Sequence, residues 1–116
     1  MKYLFILLIL PFLAACTRNY PVTPNSGYTD TWWSYHDADT DFEIHFVEDG
    51  TMAHSNEGDT TPGNDRWYEK NGRIYFSMND GYANYEGIVV DSGWVAGTAK
   101  NKKGLKWEWQ MREQKQ

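Results

Sequence analysis

The sequence has one cysteine, Cys16, so no disulfide within the chain can staple its fold. It has one long apolar run, residues 4–13, interrupted only by Pro11. That run is shorter than the roughly 20 residues a helix needs to cross a bilayer core, and no later stretch is as apolar, so no membrane-spanning helix is expected. A block of Lys and Arg is also missing. With 11 Lys+Arg against 16 Asp+Glu, interspersed, the formal charge is −5. Nucleic acid, which is held by neutralising phosphates, is therefore an excluded partner. Helical spacing of apolar residues is absent beyond the first run. There is no Gly-x-Ser-x-Gly elbow, no phosphate-cradling glycine loop and no nucleophile beside a base, so the chain is not expected to be an enzyme.

What is present begins with Met1-Lys2-Tyr3, the apolar run, and Ala14-Ala15 before Cys16. This order of charge, apolar core and small residues marks residues 1–15 as an export signal. The four residues Leu13-Ala14-Ala15-Cys16 resemble the lipobox of bacterial lipoproteins. The resemblance implies a diacylglyceryl group on the Cys16 thiol, cleavage just before it, and a membrane partner reached through lipid. Several acyl chains would hold firmly where one gives only reversible binding. In that family an aspartate after the cysteine retains the protein in the inner membrane of Gram-negative bacteria. Thr17 stands there, which implies the outer membrane and a place in the cell envelope. Cleavage removes Lys2 alone among the charged residues, leaving 10 Lys+Arg against 16 Asp+Glu and a charge of −6.

Residues 16–30 carry Pro21, Pro24 and Gly27 among Thr, Asn and Ser with no hydrophobic period, and read as the lipidated cysteine and a flexible tether. As a coil they would span on the order of 20 Å. Residues 31–116 are left as one small domain. It is small enough for its stability to be marginal without good packing, and the 6 Trp, 8 Tyr and 5 Phe supply the compensating apolar area.

Within that domain the periodicity is two. Phe42, Ile44 and Phe46 alternate with Glu43 and His45 before Glu48-Asp49-Gly50, a hairpin turn of the Asp-Gly type. Ile74, Phe76 and Met78 alternate with Tyr75 and Ser77 before Asn79-Asp80-Gly81. Asp91-Ser92-Gly93 and Asn101-Lys102-Lys103-Gly104 mark two further turns. Leu105, Trp107, Trp109 and Met111 alternate with Lys106, Glu108, Gln110 and Arg112. The pattern predicts about eight strands, over residues 32–36, 42–47, 51–55, 66–69, 73–78, 82–90, 94–99 and 105–112. Their short connections demand antiparallel neighbours. The expected fold is all-β, a single antiparallel meander closing into a small barrel with room for at most one small ligand. The order of Trp, Asp-Gly-Thr hairpin, Trp-Tyr, Tyr-x-x-Tyr-x-Gly, Gly-Thr-Ala and a Gly before a Trp-rich last strand is similar to small bacterial lipocalin-like barrels.

Three constellations remain. Asp37, Asp39, Asp41 and Glu48 have the carboxylate spacing of a calcium loop, but the sixth place holds Phe42 where a glycine must turn the chain, so a solvated acidic turn is expected. His36, His45 and His54 are nine residues apart, which fits no zinc pattern, and read as three surface imidazoles. No metal or cofactor is therefore expected. Trp32, Trp33, Trp67 and Trp94 are candidate contacts for a ligand or partner, with adjacent Trp32 and Trp33 facing opposite sides of one strand. Trp107 and Trp109 are read as core. Two functional readings follow. One is an anchored, non-enzymatic barrel that binds or inhibits another protein in the periplasm; the other is a carrier of a small apolar ligand inside the barrel.

Overall fold

A computed structural model of the chain describes residues 26–115. The export signal, Cys16 and the tether up to residue 25 lie outside the described residues. Within them the chain forms β1 (Thr31–Asp37), β2 (Asp41–Phe46), β3 (Met52–His54), β4 (Arg66–Lys70), β5 (Arg73–Met78), β6 (Ala83–Asp91), β7 (Trp94–Asn101) and β8 (Lys106–Gln114). A single turn of 3-10 helix, Pro62–Asn64, interrupts the loop between β3 and β4. Eight strands fall where the alternation places them.

All pairings are antiparallel, in the order β3-β2-β1-β8-β7-β6-β5-β4. First and last strands thus pair, and the seam of this nearly closed barrel falls between β3 and β4. Three residues of β3 are too few for a full ladder. The seam is held instead by an isolated bridge between Thr51 and Arg66 and by Trp67, whose backbone N–H reaches the Gly50 carbonyl at 3.0 Å and whose indole N–H reaches the Val47 carbonyl at 2.8 Å.

Period-two alternation fixes the register, because a slip of one residue would turn each apolar face to solvent. Phe42, Ile44, Phe46, Ile74, Phe76, Met78, Trp109 and Met111 point inward and are buried. Rings fill the centre. Phe76 stacks on Tyr85 at 4.6 Å, Tyr35 on Phe42 at 4.2 Å, and Phe46 meets Trp67 at 5.3 Å. Such pairs add about 0.5–1.5 kcal/mol beyond the area they bury.

Two glycines let the sheet bend around this filling. Gly87 and Gly97 face each other across β6 and β7, and Gly97 faces Trp109 on β8. A Cβ on Gly87 would come within 2.7 Å of the Trp109 ring, and one on Gly97 within 1.9 Å of the Glu86 carbonyl oxygen. The indole N–H of Trp109 closes on the Thr98 carbonyl at 2.9 Å, so one tryptophan covers the backbone that two missing side chains expose.

Three expectations change here. Residues 26–30, read as the end of the tether, form a turn that closes one end of the barrel: Tyr28 is buried against Trp33 and Phe46. Trp109 is core as expected, but Trp107 is only half-buried and Leu105 is 62 % exposed, because the start of β8 and the turn before it lie beyond the filled centre. His54, read as a surface imidazole, is enclosed.

Candidate functional site

Connections alternate between the two ends of an up-and-down barrel. The turn at residues 38–40, the loop 55–65, the turn 79–82 and the turn 102–105 share the end away from Tyr28, called here the far end. Backbone and side-chain bonds join them. Thr60 reaches the Asn79 side chain, its hydroxyl at 3.3 Å, and Lys102 N–H reaches the Tyr82 carbonyl at 3.0 Å. Together with the ends of their strands they surround a recess of about 380 Å³ lined by Asp37, Phe42, Asn56, Tyr85, Leu105 and Trp107, among others.

Beneath this rim lies a cluster of three ionisable side chains. His54 at the end of β3 meets Asp59 and Asp65 from the loop, with side-chain exposures of 1 %, 1 % and 0 %. His54 Nδ1 accepts the Asn56 N–H at 3.1 Å, which puts the ring proton on Nε2. Nε2 then donates to Asp59 Oδ2 at 3.0 Å and to Asp65 Oδ2. Backbone amides meet the same two carboxyls. Asp59 takes the Thr61 N–H at 2.8 Å and the Asn79 N–H at 3.0 Å, and Asp65 takes the Asn79 N–H at 3.1 Å.

Two buried carboxyls this close cannot both ionise cheaply. Burial, and then the hydrogen bond and charge of Asp59, push Asp65 up to about 8. Burial acts on Asp59 as well, but hydrogen bonds from Asp65 and from the Thr61 and Asn79 amides hold it below the usual carboxylate range. One proton between two carboxyls thus keeps the cluster neutral enough to bury. Asn79 and Asp80 adopt left-handed backbone, with φ of 58° and 59°, which costs a non-glycine residue about 1–2 kcal/mol. The Asn79 amide, held by both carboxylates, offsets that strain.

His54, Asp59 and Asp65 present ligand atoms all within 4.8 Å of one another, and so bear on whether a metal fits. A histidine bound to metal through Nε2 needs its other nitrogen to donate. Here Nδ1 faces the Asn56 N–H, itself a donor. Every carboxylate oxygen already accepts a hydrogen bond, from three N–H groups of which the His54 ring and the Asn79 amide are each shared between the two carboxyls. The donor set fits a self-satisfied hydrogen-bond network, not a cation.

A second network borders the recess. Tyr35 donates to Asp37 Oδ2 at 2.6 Å and accepts from the Trp107 indole at 3.1 Å. Burial, then the bond to Asp37, raise the Tyr35 phenol far beyond its ordinary value. Partial burial would raise Asp37, but the Tyr35 hydroxyl and the Asp39 and Thr40 amides hold it low. The acidic turn is thus an Asp37-centred hydrogen-bonded turn, and β2 runs through the rest of the calcium-like spacing.

The four candidate tryptophans are not brought together. Trp33 and Trp67 are core. Trp32 lies outside, stacked on His45 at 3.9 Å, as its opposite facing requires. Trp94 lies on the outer wall with the Arg112 guanidinium 4.4 Å over its ring. The recess and the His54 cluster escaped the sequence reading because Asp59 and Asp65 sit in a loop with no period to reveal them. The one available signal was that His54 shares the inward parity of Met52. No protein-family model matches the chain, no curated protein is significantly similar to it, and no solved structure matches it.

Proposed function

We propose that this protein is a lipid-anchored, non-enzymatic lipoprotein of the cell envelope, fixed through Cys16 to the outer membrane, whose far rim binds and inhibits or positions another protein in the periplasm. The observation that carries the reading is the pairing of a filled interior with a pre-set rim. Tyr35, Ile44, Phe46, Ile74, Val95 and Met111 are fully buried, which leaves a carrier little interior to use. The rim, in contrast, offers a recess with Leu105 exposed and the Trp107 ring beside it. Turns already ordered by hydrogen bonds lose little entropy on binding, and an aromatic and aliphatic anchor is what a protein contact uses. The His54 cluster, sealed from solvent, supports a structural role for the only His–carboxylate group of this kind among the described residues.

Site-specific photo-crosslinking in the producing cell tests the binding reading. A crosslinker at Leu105 is expected to give one discrete protein adduct, and one at Glu43 on the outer wall none. Absence of an adduct at Leu105, or the same adducts at both positions, overturns it. Cys16→Ser tests the anchor: loss of fatty-acid incorporation is expected, and normal incorporation refutes the lipobox reading.

A further inference from the structure

We propose that the tip of the β6–β7 hairpin, Ile88-Val89-Val90, is a membrane-contact surface that rests on the lipid bilayer to which the chain is anchored. The inference rests on the lipid-anchor reading of Cys16 but adds a second point of contact. Three consecutive aliphatic residues are 45 %, 56 % and 49 % exposed. Consecutive residues in a strand face opposite ways, so here both faces of β6 meet solvent. The reason is geometric. The β5–β6 ladder stops at Arg73 opposite Ile88, while β6 runs on to Asp91, so the tip overhangs its neighbour with one edge unpaired. Trp94 pairs with Asp91 across the turn and lies half-buried on the outer wall. Aliphatic side chains with a tryptophan beside them are the composition of interfacial anchors.

Where the chain enters the barrel names the occupant. The first described residue, Ser26, bonds through its hydroxyl to Glu69. Glu69 pairs with Ile74, and Ile74 with Gly87, next to Ile88. Two strand spacings are about 10 Å, so the tether leaves the domain beside the tip. Nine residues, 17–25, separate Ser26 from Cys16, and a flexible chain of that length would span roughly 17 Å. A tip held this close to the bilayer works at millimolar effective concentration, where three aliphatic side chains suffice without a span. The acidic mature chain, with Asp91 at the tip and Glu113 bonded to Gly93 through its N–H at 2.9 Å, favours zwitterionic over anionic headgroups.

Hydrogen exchange on the mature chain anchored to phosphatidylcholine vesicles is the test. Amides 88–94 are expected to exchange at least threefold more slowly than in the Cys16→Ser chain free in solution, with residues 102–105 unchanged. The triple variant Ile88→Thr, Val89→Thr, Val90→Thr keeps strand-forming residues and should lose the slowing while the core amides stay protected. Equal exchange of the tip with and without vesicles overturns the proposal. So does slowing that follows protein density without lipid, which would mean a second copy covers the tip. Intact mass separates this from the anchor reading: a chain without acyl groups refutes the lipobox, and coupling Cys16 to a maleimide phospholipid then puts the tip to the same measurement.

Discussion

The two ends of the barrel are closed by opposite chemistry. At the entry end a ring does it: Tyr28 lies on Trp33 and Phe46, its phenol oxygen has no hydrogen-bond partner, and burial, then the Glu69 charge, raise it to about 12. At the far end a hydrogen-bonded set of two carboxyls and an imidazole does it. A ring tolerates sliding. A network of charge-assisted bonds does not, because each lost partner leaves a buried polar group unsatisfied. The far end is therefore the more exactingly defined surface, and the entry end the more tolerant one.

The largest expected effect strikes both ends alike. Gly97→Ala would place a methyl on backbone that cannot yield, 1.9 Å from the Glu86 oxygen, and Trp109→Ala would empty the ring covering that crossing. Each should cost about 3–5 kcal/mol or more, read as collapse of the urea midpoint. Trp107→Ala, half-buried at the rim, should cost clearly less. Equal losses at Trp107 and Trp109 would erase the distinction between the filled centre and the rim.

Asp65→Ala comes next and should separate the ends. It strips His54 Nε2 and the Asn79 amide of an acceptor, a loss of about 1–3 kcal/mol. Hydrogen exchange should speed in residues 55–65 and 79–82 and stay unchanged at residues 26–30. Uniform acceleration would mean the two ends are one cooperative unit.

A smaller effect comes from pH. Asp65 is raised to about 8 in the folded chain from an ordinary 3.8. The folded state thus binds a proton that the unfolded state releases, so this contribution is full below about 4 and is lost as pH rises through about 8. Asp59, held low, runs the other way, and its contribution is lost as pH falls through its folded value. Urea midpoints should therefore fall between about pH 5 and 8, and Asp65→Asn should flatten that fall. The smallest change in stability is expected at the tip, where Val89→Thr should stay within about 0.5 kcal/mol by urea melt.

Much of the barrel was legible because alternation is written residue by residue. Phe42-x-Ile44-x-Phe46 and Trp109-x-Met111 carry their own facing, and Asn79-Asp80-Gly81, with φ of 58°, 59° and 78°, is a turn made of the residue types that tolerate left-handed backbone. The site was hardly legible. Trp33 and Trp67 were plausible contacts by composition and are core, since a strand's parity says inward but not how much already fills the inside. Nothing near His54 in the chain announces Asp65, eleven residues on.

By itself the sequence determined that the chain forms eight short antiparallel strands with one apolar face each, since those features follow from period two and from turn residues acting over a few positions. Tertiary structure alone decided where the seam falls, that Gly97 must lie beneath Trp109, that His54 is enclosed by two carboxyls, and that β6 runs past β5 from Val89 to Asp91. Each of these depends on the register between strands distant in the chain, and register is set by closure of the whole barrel.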